Sequence, residues 1–415
     1  MTAVAKGASE DTVGAIRRFN AGRDPERLAM KYAKMAESPF VFLRGACHLF
    51  YDALADAAPL PEAPLAWCCG DLHFENFGSY KGDNRLVYFD INDYDEAALA
   101  PASWDLLRLL TSILCGADVL NATAEQALTV SRACLEAYRE ALAAGKSLWV
   151  ERETSVGLVN DLLAALQKTD RAAFLDKRTV RKGKMRSLKI DGVKALAASE
   201  EQKASVGRFM QEFAASQTNP DFYRVLDIAR RIAGTGSLGL DRYVVLVEGK
   251  GSPDGNYLLD IKEAQASALA APLGRLRVRQ PAWPDEGSRV VAIQTRMQAV
   301  DHAFLQPVKL GGRSYILKGL QPSEDRVAIG DWGRKIARLE EVVAAMGRIL
   351  AWDQLRAAGR GGAAGADALI AFGQDRAWAD GLLAAAAEMT RTTRRQWQTF
   401  ADACAADKLA TDPAR

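Results

Sequence analysis

The sequence predicts a two-lobed α+β protein, with a helix-rich first half, a small sheet-rich module after it and helices at the end. Three observations lead to this prediction. Apolar residues recur at helical spacing over residues 104–166. Over residues 243–247 and 257–262 the pattern changes to a period of two, with a turn-rich segment between, which is typical of a hairpin of strands. An alanine-rich helical pattern then fills residues 332–408.

Composition limits the classes of partner. The chain has 415 residues, of which 49% are hydrophobic, enough for one large core or two moderate ones. A net charge of +2 provides no global basic field, which disfavours a nucleic-acid partner. No apolar run approaches the roughly 18–20 residues that span a bilayer, so we expect no membrane partner.

Histidine and cysteine usage limits the chemistry and the location. Three histidines, His48, His73 and His302, are too few for a multi-histidine metal site. The six cysteines show no paired metal spacing and are typical of reduced thiols in a cytosol. Residues 1–25 lack the apolar core of a secretion signal. We therefore expect a cytoplasmic protein.

The first hundred residues predict helices and two short strands. We expect a helix over residues 10–38, a strand or tight turn over 40–43 and an amphipathic helix over 46–58. Two short apolar strands follow, over 65–69 and 86–89, and each leads into a polar loop.

The middle of the chain is less regular. Residues 177–189 form a basic segment that we interpret as a solvated surface, with contact to an acidic substrate or to nucleic acid as the less favoured reading. We predict a helix over 199–232, another over 289–300, and a further strand over 314–317.

The two polar loops carry the most informative motif. Asp71 and Asn76 stand five residues apart, and the acidic segment that contains Asp93 follows about twenty residues later. Kinase-type phosphotransferases hold a catalytic Asp, a metal-binding Asn and a second metal-binding Asp around ATP and magnesium at this spacing. We predict Asp71 as the general base and Asn76 and Asp93 as Mg²⁺ ligands, since hard oxygen donors suit that ion.

Neighbouring residues have plainer interpretations. Asp93 and Asp95 share one face if the strand continues, so Asp93 is preferred over Asp90. Asp105 opens an apolar helix and is placed to cap or brace the loop. His73 is interpreted as a hydrogen-bonding residue of the loop rather than as a base.

A glycine-rich loop over residues 234–239 supplies the second half of the predicted site. A dinucleotide-binding turn needs a strand before the glycines and a helix after them. The sequence predicts helix over 227–232 and strand over 242–247, which favours a kinase glycine loop over that turn. A simple tight connection before a hairpin is the alternative. Lys262 ends the next strand, where kinases keep the lysine that anchors the phosphates. The predicted nucleotide contacts are Gly234, Thr235, Gly236, Ser237, Gly239 and Lys262.

These motifs resemble known families. The loop of Asp71 resembles the aminoglycoside phosphotransferase branch of the protein-kinase-like superfamily, whose pattern runs His-Gly-Asp-Leu-His-x-x-Asn, although Cys69 replaces the first His. Residues 93–97, with Pro101 and residues 104–106, are similar to the acidic run of the same family.

More closely, most of the chain resembles the bacterial domain-of-unknown-function family 2252 (DUF2252). The resemblance is based on the motifs at 38–45, 70–78, 92–96, 234–242 and 262–264. That family brings no established substrate.

The order of the motifs differs from that of ordinary kinases. There the glycine loop and the lysine precede the catalytic loop, whereas here they follow it by about 160 residues. The resemblance therefore implies a circularly permuted protein-kinase-like fold. We expect a helix-rich catalytic region over 1–232, a sheet-rich nucleotide-binding region over 233–322 and a C-terminal helical region over 323–415 that packs on the first.

The lysine-bracing glutamate of kinases has no strong counterpart. Glu263 is adjacent to Lys262 in sequence and points the wrong way, and Glu286 is the remaining guess. The preferred hypothesis is an ATP- and Mg²⁺-dependent phosphotransferase that acts on a small-molecule or protein hydroxyl. The alternatives are a catalytically silent pseudokinase, nucleotidyl transfer from the same site, and a metal-dependent hydrolase that uses the acidic cluster alone.

Overall fold

The computed structural model describes residues 12–57, 60–168, 170–320, 326–406 and 409. The first eleven residues of the stretch in which we expect no secretion signal lie outside this part of the chain, as do residues 407 and 408 at the end of the last predicted helix. The chain folds as a mixed α+β protein with small antiparallel sheets and C-terminal helices. Among the described helices, none combines the length and apolar character that crossing a bilayer requires.

Helices dominate both ends of the chain. They are α1 (residues 12–19), α2 (Pro25–Glu37), α3 (Pro39–Gly45), α4 (Cys47–Asp56), α5 (Ser103–Cys115), α6 (Ala124–Ala144), α7 (Gly157–Gln167), α8 (Arg171–Asp176), α9 (Glu200–Ala215), α10 (Ala270–Arg275), α11 (Glu286–Met297), α12 (Ile336–Arg356), α13 (Ala366–Gln374) and α14 (Ala379–Ala405).

Strands occupy two separate parts of the chain. They are β1 (Leu65–Cys68), β2 (Phe77–Lys81), β3 (Val87–Ile91), β4 (Ala98–Pro101), β5 (Val150–Glu151), β6 (Thr179–Lys182), β7 (Met185–Leu188), β8 (Ala195–Ala197), β9 (Val225–Arg231), β10 (Arg242–Val247), β11 (Tyr257–Glu263), β12 (Gln306–Leu310) and β13 (Arg313–Gly319).

The segment that we expected to be a strand or tight turn, residues 40–43, lies in helix α3. Ser38 caps this helix by accepting a hydrogen bond from the amide of Val41, and Pro39 occupies its first turn, where its missing N–H is not needed. Phe40 and Phe42 are both buried. Capping and burial therefore outweigh the strand preference of this short apolar run.

Helix α5 forms the centre of the larger core. Leu106, Leu107, Leu109 and Leu110 are fully buried, and each buried leucine of this size stabilises the fold by about 1.5–3 kcal/mol. Helices α6, α12 and α14 pack around it. The helix therefore provides a fixed base for the loops that precede it.

A six-stranded antiparallel sheet forms the second core, in the order β12-β13-β11-β10-β9-β8. The hairpin predicted from the period-two pattern is confirmed as β10–β11, with Arg242 opposite Lys262. Two of the six strands, β8 and β9, precede residue 233. Helix α9 covers one face of this sheet.

The predicted helix over 199–232 is correct only in its first half. Residues 227–232 were expected to be helical, but β9 occupies most of them and pairs with β8 and β10. A strand therefore does precede the glycine-rich loop. The residues after the loop form β10 rather than a helix, so the requirement of a dinucleotide-binding turn is still not met.

Candidate functional site

The loop of Asp71 is held by the first turn of α5. Strand β1 ends at Cys68, and the carboxylate of the buried Asp105 accepts hydrogen bonds from the amides of Cys69, at 2.7 Å, and Gly70, at 3.1 Å. The pKa of Asp105 is raised to about 6, because burial raises it by more than the hydrogen bonds from these two amides lower it. The structure confirms that Asp105 braces this loop.

Asp71 lies against a buried cation that the sequence reading did not identify. Its backbone has a φ of 33°, a left-handed value that a non-glycine residue rarely adopts. The fully buried Arg108 donates to Asp71 Oδ1 from Nε at 3.0 Å and from a second guanidinium nitrogen. Burial raises the pKa of Asp71 and the pairing with Arg108 opposes that rise. A charged residue inside the leucine-rich α5 was the available signal for Arg108.

Gly70 allows the Asp71 loop to lie directly on the acidic segment. Its φ is 67°, and a Cβ at this position would stand 2.4 Å from the backbone oxygen of Glu96. Both the backbone conformation and the lack of space therefore require glycine here.

Replacing Gly70 with alanine tests this close approach. We expect G70A to lower the free energy of unfolding by about 2–4 kcal/mol, because left-handed strain and a backbone clash add together. The matched control is G192A, since Gly192 has a φ of 70° and nothing within 4 Å of the added atom. Denaturant unfolding should show about 1 kcal/mol for that control. Equal losses in the two variants would mean that the contact with Glu96 is unimportant.

Asn76 ends the short helical turn that follows the Asp71 loop. Its Oδ1 accepts a hydrogen bond from the amide of His73 at 2.7 Å, which fixes the side chain at the edge of the loop. The buried His73 accepts a hydrogen bond from Arg44 at its Nε2, and burial and Arg44 lower its pKa. His73 is therefore a neutral, positioning member of the loop, in line with its interpretation from sequence.

The acidic segment meets the predicted lysine. Lys262 Nζ lies 3.6 Å from Asp93 Oδ1 and forms an ion pair with Asp95. Burial opposes the charge on Lys262, but the two carboxylates raise its pKa. For Asp93, burial works against ionisation, and the nearby Lys262 and Lys318 nevertheless hold its pKa below the ordinary value. Glu286 pairs with Arg289 on α11, so it does not brace this lysine.

The remaining acids of the two segments differ in position. Asp90 is buried and interacts with Asp353 and Arg356, away from Lys262. Glu96 accepts a hydrogen bond from the amide of Ala268, and burial raises its pKa to about 7. The structure therefore brings Asp93, and not Asp90, to the lysine.

The glycine-rich loop is held from outside by cations at the N-terminal end of the chain. Arg23 donates to the carbonyls of Gly236, at 2.6 Å, and Leu238, at 2.9 Å. Lys31, which is fully buried, donates to the same Gly236 carbonyl at 3.0 Å. The sequence did not identify either residue, because nothing in the bend at Arg23 or in the charged helix α2 marks a contact more than 200 residues away.

This anchoring orients the amides of the loop. The N–H of a trans peptide points opposite to its C=O. Since the Gly236 carbonyl faces Arg23 and Lys31, the amide of Ser237 points the other way, on the side where Ser237 lines a cleft. Among the described residues, the amides of Thr235, Gly236 and Ser237 have no hydrogen-bond acceptor.

One cleft joins the two distant motifs. A Cβ on Gly236 would stand 3.1 Å from the Arg44 backbone oxygen and 3.8 Å from Asp71 Oδ2, so the loop lies directly over the candidate base. Lys262 reaches the cleft through its ion pairs with Asp93 and Asp95, and Gly239 lies further out, against Arg23. The cleft is lined by Arg44, Cys69, Gly70, Asp71, His73, Asn76, Asp93, Asp95, Glu96, Gly234, Thr235, Gly236, Ser237 and Arg326.

The donor set of the cleft fits magnesium only with help from a ligand. In the part of the chain that the structure describes, no group of three or more His, Cys, Asp or Glu side chains is arranged to hold a metal ion. Mg²⁺ in phosphate-binding sites commonly takes one or two protein ligands and completes its shell with water and phosphate oxygens. Asn76 and Asp93, which face the same cleft, meet that requirement.

Comparison with known proteins identifies a family and no activity. A family model described as "Uncharacterized protein conserved in bacteria (DUF2252)" matches residues 23–403. No curated protein and no solved structure matches the chain. The matched range contains the loops of Asp71 and Asp93, the glycine-rich loop and Lys262.

Proposed function

The chain belongs to the DUF2252 family, and from the chemistry of its cleft we propose that it is an ATP- and Mg²⁺-dependent phosphotransferase with a circularly permuted kinase-like fold. The acceptor is a hydroxyl group of a small molecule or of a protein. The family description assigns no reaction, so the proposal is based on the residues of the cleft.

A single observation carries the proposal. Lys262 Nζ lies 3.6 Å from Asp93 Oδ1, although the two residues are 169 positions apart in the chain. In kinases the lysine that anchors the phosphates and the aspartate that binds Mg²⁺ must meet at one nucleotide. The contact between these two residues supports the proposal, because it joins the two distant halves of the motif.

The connectivity of the sheet supports the same reading. The glycine-rich loop joins β9 to β10, Lys262 lies on the next strand, β11, and helix α11 follows before β12. Kinases place a glycine loop before the lysine strand and a helix after it. Because β1 and the Asp71 loop come first in the chain, this arrangement requires permutation of the two lobes.

Each residue has a chemical role in the proposed reaction. Bound MgATP would supply the phosphoryl group, and Asn76 and Asp93 would hold its metal ion. The amides of the glycine-rich loop and the ammonium of Lys262 would bind and neutralise the phosphates. Asp71 would accept the proton of the attacking hydroxyl, while Arg108 fixes its carboxylate in place.

A silent nucleotide-binding pseudokinase is the second candidate, and one observation favours it. Active kinases need an ion pair between the lysine and a glutamate of the following helix. Here Asp95 supplies the partner carboxylate of Lys262, and Glu286 of α11 pairs with Arg289 instead.

Calorimetric titration of MgATP into the protein is the first test. We expect magnesium-dependent binding to the wild type, and loss of that binding in both D93N and K262A, because the metal ligand and the phosphate anchor serve one nucleotide. K309A is the matched control, since Lys309 lies on β12 of the same sheet and pairs with Asp285 outside the cleft.

The other outcomes are equally informative. A wild type that binds no nucleotide, or variants that bind it as the wild type does, would contradict the proposal. Binding with release of neither ADP nor pyrophosphate would favour the pseudokinase, and release of pyrophosphate would indicate nucleotidyl transfer.

A further inference from the structure

The hairpin β6–β7 is anchored to the protein by one face only. The guanidinium of Arg186 is fully buried and donates to the Pro253 carbonyl at 2.7 Å, to Asp176 at 2.6 Å and to Asp254 at 2.7 Å. Leu188 packs in a small apolar cluster with residues of the large sheet. These contacts hold the hairpin by its inner face, and its other face is turned to solvent.

The outer face carries large apolar side chains that the described residues leave substantially exposed. Lys182 pairs with Met185 and Val180 with Ser187 across the two strands, so these residues share the outward face. Met185, beside the turn, is 75% exposed, and Val180 is 43% exposed. Ile190 and Val193, just after the hairpin, are 52% and 71% exposed. Four of the eleven exposed large apolar residues in the described chain thus lie within fourteen positions.

Cations surround these apolar side chains. We call residues 177–194 the basic hairpin surface. Its sequence contains one acid, Asp191, whose carboxylate accepts hydrogen bonds from the amides of Val193, Lys194 and Ala195. The basic residues of the surface, apart from the buried Arg186 and from Arg181, which forms an ion pair with Asp254, are Lys177, Arg178, Lys182, Lys184, Lys189 and Lys194.

We propose that the basic hairpin surface binds an anionic lipid bilayer, with Met185 at its tip entering the headgroup region. Exposed aliphatic side chains gain free energy by entering the interface, and the lysines around them are attracted to anionic headgroups. An anionic bilayer can therefore bind the apolar side chains and the basic side chains of this surface at the same time.

Nucleic acid fits this surface less well. Single strands are bound through aromatic side chains on which the bases stack, and residues 177–194 contain none. Duplex contacts would use the cations and leave four apolar side chains in water. The expectation of no membrane partner came from the lack of a spanning segment, and a surface contact of this kind needs no such segment.

Vesicle sedimentation tests the proposal. We expect the full-length protein to pellet with phosphatidylcholine vesicles that contain about 30% phosphatidylglycerol, to stay in solution with phosphatidylcholine alone, and to be released by salt. K182E/K184E should weaken binding at least about 25-fold, because each lysine near such a surface contributes about 5-fold. M185D should weaken binding as well, because it replaces the apolar side chain at the tip with an acid while every lysine is kept.

Matched variants distinguish binding by this surface from non-specific effects of net charge and of exposed apolar residues. K146E/K168E makes the same change of net charge at exposed lysines elsewhere, and L276D places an acid at another exposed leucine. Both controls should bind as the wild type does. Binding lost equally in the controls, or no pelleting of the wild type with anionic vesicles, would overturn the proposal. Salt-sensitive binding to a DNA duplex, with none to vesicles, would overturn it too and assign the surface to nucleic acid.

Discussion

Replacing Asp71 with asparagine should lower phosphoryl turnover by about 10²- to 10⁴-fold, the range expected when a general base is removed. The substitution keeps an oxygen that can accept the hydrogen bonds of Arg108, and it removes the basic lone pair in the cleft. Magnesium-dependent nucleotide binding should remain, because the metal ligands and the phosphate contacts are untouched. The measurement is release of ADP from MgATP, beside calorimetry of the same preparation.

Stability must be measured in parallel for this variant. Asp71 is the ion-pair partner of a fully buried guanidinium, so D71N also leaves the Arg108 charge without its counter-ion. D118N serves as the control, since Asp118 is exposed and lies outside the cleft. Full turnover in a folded D71N protein would remove Asp71 from the proposed mechanism.

Replacing Asp260 with leucine should produce the largest loss of stability, about 3–5 kcal/mol. Asp260 is buried on β11 and accepts hydrogen bonds from Arg242 at 2.9 and 2.6 Å and from Arg231 at 2.5 Å. Without the carboxylate, two neighbouring guanidinium groups would repel each other inside the sheet. Denaturant unfolding measures the loss, and the triple variant R231M/D260L/R242M should recover most of it, because an apolar replacement of a whole buried network is often neutral.

The same cluster sets a pH dependence. Burial works against ionisation of Asp260, yet Arg231 and Arg242 hold its pKa well below the ordinary value. Its contribution to stability is therefore complete above the unfolded-state pKa, about 3.9, and is lost as the pH falls below that value. D260L should show a shallower loss of stability between about pH 4 and pH 2 than the wild type. Parallel curves for the two proteins would contradict this assignment.

The sequence could predict those parts of the candidate site that depend on the spacing of residues within short stretches of the chain. Asp71 and Asp93 follow short strands, Asn76 ends the turn after Asp71, and the glycine-rich loop precedes a strand, so their types and intervals led to the prediction of a phosphate site. That these stretches share one cleft depends on contacts across more than 150 residues, which no local pattern contains.

The wrong predictions have the same origin. Residues 227–232 read as helix because alanine and arginine favour it, but pairing with β8 and β10 decides the outcome. Strand preference likewise fails at residues 40–43, where a capping serine and burial of two phenylalanines favour α3. Glu286, the remaining guess for a glutamate that braces Lys262, pairs with Arg289, and Asp95 forms an ion pair with the lysine instead.

The contact between Lys31 and Gly236 has a consequence for biosynthesis. The two residues are 205 positions apart. At about 5–20 residues per second, a ribosome needs about 10–40 s to deliver the second after the first. Until then, the ammonium of Lys31 lacks the Gly236 carbonyl that it contacts in the folded protein. The carboxylates of Asp93 and Asp95 likewise lack Lys262. A nascent chain of this protein therefore completes the cleft late, only after the glycine-rich loop and β11 have been made.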